Sequence, residues 1–245
     1  MKPLQKDGFK NKRCFILATG PSLANKNLSF LKNEFIISLN LCPLTLDLFG
    51  IIPEINIVAD KLQYQKYEKV FEKLTFNKKT LKIIIASACE TFLSNLKDER
   101  TFFFPKKLQQ EIPNFSVNPI KEGFARGKTV AFDAIQLAFY LGFKEVYILG
   151  MDLGKKYNWG ENGHCYEIQK NPKFKEIEFA KSKDTMITRG LPGHPEYWGY
   201  INNCMEKAKI EFKKKERKIF NDVNSNLEIF EKIDIFKKFG GKNEK

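Results

Sequence analysis

Short apolar runs alternate with longer amphipathic stretches along this chain. CFILAT at 14–19 ends at Gly20-Pro21, a pair that breaks a strand, and a helix is predicted from Ser22 to about Leu31. FIISLN (35–40), INIVAD (55–60), LKIIIAS (81–87) and TFFF (101–104) read as further strands, each short, apolar and rich in β-branched or aromatic residues. Within 61–74, Leu62, Tyr67, Val70, Phe71 and Leu74 recur at helical spacing. A second helix is predicted over 129–140, where Val130, Ala131, Ala134, Leu137, Ala138 and then Leu141 share one face and Gly142 can close it. EVYILG (145–150) is the next strand, ending at Gly150-Met151-Asp152. Residues 153–193 are rich in Gly, Asn and Lys and lack periodicity, so they read as a long lid-like loop. A helix is predicted from Pro195 to about Lys215, a short strand over 218–221 and a terminal helix over 227–239.

Strands that alternate with helices predict an α/β fold: a mostly parallel, Rossmann-like sheet with helices on both faces. No interdomain linker or internal repeat interrupts the pattern, so 1–245 reads as one nucleotide-binding domain with its lid at about 153–193. In such sheets ligands sit beyond the strand carboxyl ends. Thr19-Gly20, Asn40, Asp60 and Asp152 all fall there.

Charge narrows the partner. Lys+Arg total 42 against 29 Asp+Glu, a net charge of +13, which suits an anionic ligand or surface. The cations are interspersed except in the last third, so nucleic acid is not the expected partner. The five cysteines, Cys14, Cys42, Cys89, Cys165 and Cys204, form no C-x-x-C pair and read as reduced thiols. The first residues carry no apolar signal core, and no apolar run reaches the roughly 20 residues of a membrane span. The expectation is a cytoplasmic protein, at most peripheral to the inner membrane.

Gly20-Pro21-Ser22 directly follows the first strand. Gly permits close backbone approach, Pro sets the next φ, and Ser can cap a helix whose free N–H groups attract phosphate. An ordinary strand-turn-helix cap explains the same residues equally well. Asn40 can bond a base or ribose through its amide, and Asp60 can accept from ribose hydroxyls; each is also a common turn residue. Arg126-Gly127-Lys128-Thr129 opens the second helix with two cations and a hydroxyl, an arrangement that suits an anion. His164 and His194 both sit in Gly-rich surroundings, ENGHCY and LPGHPEYW, and either can serve as a base near neutral pH. Tyr157 and Tyr166 flank residues 158–165 and can donate to a departing phosphate or simply anchor the loop. The chain has no H-E-x-x-H, no G-x-S-x-G and no Asp-x-Asp placed to hold a metal–diphosphate pair. No metal and no cofactor is expected.

Taken in order, FILATGPSL, SLNLCPL, INIVAD, LGFKEVYILGMDL, Tyr157, Tyr166, Gly193-His194 and KIFNDVNSNLEIF resemble the bacterial lipooligosaccharide sialyltransferases of glycosyltransferase family 42. The resemblance spans about 13–230 and extends to the motility-accessory-factor and 6-hydroxymethylpterin-pyrophosphokinase-like domains. It implies a Rossmann-like fold and metal-independent transfer from a CMP-activated nine-carbon acidic sugar. By that likeness Gly20, Ser22 and Asn40 hold the nucleotide, Tyr157 and Tyr166 assist the departing phosphate, and His194 is the base. Thr19 and Asp60 stand where those enzymes carry Asn, and Arg126-Gly127 where they carry Ser-Gly.

The leading expectation is therefore a glycosyltransferase that moves a sialic-acid-like sugar from a CMP-sugar to a cell-surface glycan acceptor. The nucleotide would be held by Thr19, Gly20, Pro21, Ser22, Asn40, Asp60, Arg126, Gly127, Lys128, Thr129 and Asp152, and the chemistry carried by His194, Tyr157 and Tyr166. Two alternatives stand beside it. One is a Mg²⁺-dependent pyrophosphokinase acting on a pterin alcohol, with Asp60 and Asp152 on the metal. The other is a non-catalytic nucleotide- or RNA-binding module.

Overall fold

The computed structural model describes residues 4–59, 67, 70, 80–85, 100–104, 112–152, 163–175 and 195–240. Eight strands form one sheet: β1 (Arg13–Leu17), β2 (Ile36–Leu39), β3 (Ile55–Val58), β4 (Leu81–Ile85), β5 (Thr101–Phe104), β6 (Glu145–Leu149), β7 (Lys218–Asp222) and β8 (Glu231–Ile233). Their order is β5-β4-β3-β2-β1-β6-β7-β8, and every neighbouring pair is parallel. The α/β, Rossmann-like reading is borne out.

Strand sequences without a polar face are what a sheet covered on both sides requires. In β1, Cys14 and Ile16 enter one core while Phe15 and Leu17 enter the other. Val146 and Ile148 divide from Tyr147 and Leu149 in the same way along β6. The first core is covered by the helices Val130–Leu141 and Pro195–Lys214, which contribute Phe132, Phe139 and Phe212. Over the second lie Leu23, Leu28, Leu31 and Leu44 from the 21–47 segment, with Tyr166 and Phe174. Phe15, Tyr147 and Phe220 stack in a row across β1, β6 and β7, with ring centroids 5.2 and 5.0 Å apart. No described helix is long and apolar enough to cross a membrane.

Three predicted elements differ. The helix expected from Ser22 is instead two 3₁₀ turns, Pro21–Leu23 and Ser29–Asn33. Asn25, at φ 59°, leaves helical geometry, and the Asn27 side chain accepts from the Ser29 N–H. The terminal helix expected over 227–239 is replaced by β8 and a π turn at Phe236–Gly240, because Glu231–Ile233 completes the sheet edge against β7. The segment expected to be irregular contains a helical turn, Cys165–Ile168, and a 3₁₀ turn, Pro172–Phe174, within its described part. The helix expected over 61–74 lies outside the described residues apart from Tyr67 and Val70, both buried.

Candidate functional site

β1 and β6 are adjacent, and from them the chain winds outward in opposite directions. That is the topological switch point, where an open α/β sheet leaves a crevice at its carboxyl edge. Residues 18–22 leave β1 there, and Gly150-Met151-Asp152 leave β6. The two ends are stitched together by Ala18 N–H to Leu149 O at 2.9 Å and Gly20 N–H to Gly150 O at 2.7 Å. A Cβ on Gly20 would overlap the Gly150 carbonyl and the Asp152 carboxylate, lying 2.6 Å from Asp152 Cγ. Only glycine allows this approach.

Asp152 is 1% exposed, and both of its oxygens are engaged by Ser22. The Ser22 N–H donates to Oδ2 at 2.8 Å and the hydroxyl to Oδ1 at 2.5 Å. The carboxylate thus caps the Pro21–Leu23 turn from across the sheet. Burial raises its pKa, the Ser22 bonds oppose that rise, and the charge of Asp222 adds to it.

The described part of the lid-like segment docks against the same turn. Cys165 N–H donates to Thr19 O at 2.9 Å, and His164 Nδ1 lies 3.1 Å from Thr19 Oγ1 and 3.3 Å from Thr19 O. A carbonyl only accepts, so the second contact places the ring proton on Nδ1. Glu167 caps the His164 backbone N–H, and the imidazole stacks on Tyr166 at 5.1 Å. Burial lowers the His164 pKa, against the pull of Glu167 and Thr19, and so favours the neutral ring. Tyr166 is held well above the ordinary phenol range, first by burial and then by the charge of Glu167. Farther along, Asn171 donates to Leu44 O and to Asp47, and Thr45 Oγ1 lies 3.3 Å from Cys165 Sγ.

Asn40 directly follows β2, one strand over, in the left-handed region at φ 48°. Its backbone is held on both sides: its N–H donates to Ile57 O, and its carbonyl accepts from Asn56 Nδ2 at 3.4 Å. Asn56 is itself fixed by the Ser38 hydroxyl at 2.7 Å. Asn40 Oδ1 is buried and has no hydrogen-bond partner among the described residues.

The 126–129 turn belongs to a second cluster, where the Val130–Leu141 helix begins. Gly127 packs on Phe132, Lys128 Nζ lies 4.7 Å from the Tyr200 ring centroid, and Thr129 Oγ1 accepts from the Ala131 N–H. Arg126 O accepts from Tyr200 Oη at 3.1 Å, and the Arg126 side chain is exposed. From within that helix, Gln136 accepts from the Ser116 and Ala125 N–H groups and donates to Ala125 O. Because this helix runs back to the start of β6, its amino end lies at the sheet's carboxyl edge. The start of Pro195–Lys214 lies there for the same reason.

Of the sequence-selected residues, Thr19, Gly20, Pro21, Ser22, Asp152 and Tyr166 thus gather at the switch point, with Asn40 beside them. Arg126, Gly127, Lys128 and Thr129 form the second cluster. Asp60, Tyr157 and His194 lie outside the described residues. Sequence reasoning passed over Ser38, Asn56, Asn221 and Ser225, all buried and polar. For Ser38, Asn56 and Asn221 the available signal was a Ser or Asn inside an apolar strand run, as in IISL, INIV and KIFND. Both Asp152 oxygens accept from Ser22, and no group of three or more His, Cys, Asp or Glu gathers among the described residues.

Comparison with solved structures finds the same fold elsewhere. The MAf glycosyltransferase from Magnetospirillum magneticum AMB-1 aligns with TM-score 0.56 and 15% identity, covering 94% of this chain and 35% of that one. The chain therefore spans about a third of that protein's length. The sialyltransferase CstII from Campylobacter jejuni in complex with CMP-3FNeuAc aligns with TM-score 0.53 and 17% identity, covering 91% and 86% of the two chains. A variant of the sialyltransferase CST-II in complex with CMP gives TM-score 0.52 at 17% identity, covering 90% and 86%. No curated protein matches by sequence. Residues 1–158, which carry β1 to β6, both ends of the switch point and the 126–129 turn, match a family model, and on that match the chain belongs to the 6-hydroxymethylpterin diphosphokinase MptE-like family.

Proposed function

We propose that the protein is a glycosyltransferase that binds a CMP-sugar at the β1/β6 switch point and passes its sialic-acid-like sugar to a glycan acceptor without a metal. The observation that carries this reading is Asn40 Oδ1, a buried acceptor without a described partner, at the strand end beside the Thr19–Gly20 turn. An acceptor shut off from water calls for a donor. A cytosine amino group or a ribose hydroxyl supplies one. The shared fold with a sialyltransferase solved in complex with CMP supports the choice of nucleotide.

In this reading Thr19, Gly20, Pro21, Ser22, Asn40 and Asp60 shape the nucleoside end, and Asp152 holds the turn. The cations and hydroxyl at 126–129 face the phosphate. The acceptor oxygen bonds to the anomeric carbon as the bond from that carbon to the phosphate oxygen breaks, and the electron pair leaves with CMP. The acceptor proton passes to a histidine. His194 is the assigned base, and His164, neutral and oriented by Thr19, is the alternative. Tyr157 and Tyr166 donate to the departing phosphate; the raised pKa keeps Tyr166 protonated for that role. Preorganised donors of this kind supply a large part of such catalysis.

The family match supports a second reading, Mg²⁺-dependent diphosphate transfer to a pterin alcohol. A thermal-shift screen of CMP, CDP, UDP, GDP and ATP, each with and without Mg²⁺, separates the two. Stabilisation by CMP alone, and turnover that survives excess EDTA, is the expected outcome. Stabilisation only by ATP with Mg²⁺ would replace the first reading with the second.

A further inference from the structure

We propose that the end of β7 and the turn after it, residues 221–225, are a positioning element of the nucleotide site, with Ser225 as its hub. The inference rests on the nucleotide-binding reading above. It concerns residues beyond the 1–158 segment that carries the family match.

Ser225 is 4% exposed, and its hydroxyl joins three groups. It donates to Met151 O at 2.5 Å and accepts from Asn221 Nδ2 at 2.9 Å and from Leu227 N–H at 3.2 Å. Met151 directly precedes Asp152, whose carboxylate holds Ser22. A continuous chain of bonds therefore runs from β7, through Ser225 and the Met151–Asp152 peptide, to the Gly20-Pro21-Ser22 turn.

The turn is closed by its own hydrogen bonds. Asp222, 2% exposed, accepts from Asn224 N–H and Nδ2 at 3.1 and 2.7 Å, and Ser225 N–H donates to Asp222 O at 3.0 Å. This holds a second buried carboxylate close enough to Asp152 for its charge to act there. A structure that needed only to close the sheet edge would have no use for a buried hydroxyl and a buried carboxylate at the carboxyl end of β7. Apolar residues would serve at lower desolvation cost. The network makes sense if the turn sets where Asp152, and through it Ser22 and Gly20, stand when a nucleotide arrives. Ser225 is a positioning residue in this account and touches no ligand.

The test measures CMP binding by calorimetry for the full chain and for Ser225→Ala, Ser225→Thr and Asn224→Ala, with folding followed by circular dichroism and Tm. Ser225→Ala is expected to weaken CMP binding about tenfold, the scale of coupling within one hydrogen-bond network. Ser225→Thr, which keeps the hydroxyl, should recover most of that loss. Asn224 is exposed, so Asn224→Ala keeps the fold and should still weaken CMP binding severalfold; it serves if Ser225→Ala fails to fold. In a double-mutant cycle, Ser225→Ala and Ser22→Ala should be non-additive for CMP affinity, which a purely structural loss of stability would not produce. Folded variants that bind CMP as the wild type does, with an additive cycle, would overturn the inference while leaving the nucleotide reading intact. A wild type that binds no nucleotide would overturn that reading and this inference with it.

Discussion

Two residues at the switch point carry most of the chemistry that can be tested directly. Gly20 has no room for a side chain, since Asp152 and the Gly150 carbonyl occupy the Cβ position. Gly20→Ala should therefore push Asp152 off Ser22, weaken nucleotide binding and lower Tm, as calorimetry and thermal melts would show. His164 makes a pH prediction. Its folded pKa lies below the ordinary value of about 6.5, so between those two values the unfolded chain binds more protons than the native one. The stability contribution is full above about pH 6.5 and is lost as pH falls toward the folded pKa. Denaturant titrations of His164→Gln across pH 5–8 should show a flatter acid limb than the wild type. If His164 is also the base, kcat of His164→Ala falls by roughly 10²–10⁴; if His194 is, that loss moves to His194→Ala. At this scale the sequence showed Gly20, Asn40 and Asp152 by their place after apolar runs. It could not show that Asp152 faces Ser22 or that His164 reaches Thr19, because those contacts join residues more than a hundred positions apart.

Among the elements, period and length carried the reading where a segment is buried on a regular schedule. The strands β1, β2, β3, β4 and β6 and the helix Val130–Leu141 were legible because their runs are apolar, on both sides of the sheet and over most of the helix. The 3₁₀ turns at 21–33 were not, since local asparagine bonds override a run that otherwise reads as helix. β8 was not legible either. It is a short, half-exposed edge strand, and Glu231 and Lys232 give it no apolar alternation. Gln136 shows how one side chain holds an element pair together. It serves two buried N–H donors, so Gln136→Ala should cost on the order of 1–3 kcal/mol for each donor left unpaired. Urea unfolding would register that loss, and the 126–129 turn, anchored just downstream of Ala125, should loosen with it in hydrogen exchange.

On the scale of the whole molecule, the segment that carries the family match ends before the sheet does. Residues 1–158 contain β1 to β6, whereas β7, β8 and the Pro195–Lys214 helix follow. Cutting there would strip the partner strand from β6, uncover Tyr147 on one face, and remove Phe212 and Trp198 from the core on the other. A bare parallel edge beside exposed aromatics favours aggregation. The 1–158 fragment is therefore expected to be insoluble or unfolded, as expression with sedimentation and circular dichroism would reveal. A soluble, cooperatively melting fragment would show that the first six strands suffice.

The all-parallel sheet also dictates how the chain can reach its native state. Among the described strands no neighbours are antiparallel and so none forms a hairpin to nucleate on, and each described pairing waits for a crossover to close. The central pairing is the most demanding: Arg13 meets Glu145 only after the four strands between them in sequence have been made or bypassed. Closing such loops costs entropy before any contact repays it, which places this chain among slow folders. The β1 and β6 ends that bound the proposed nucleotide site meet only when β6 settles beside β1, so on that proposal binding competence should appear late in refolding, after most of the secondary structure is in place.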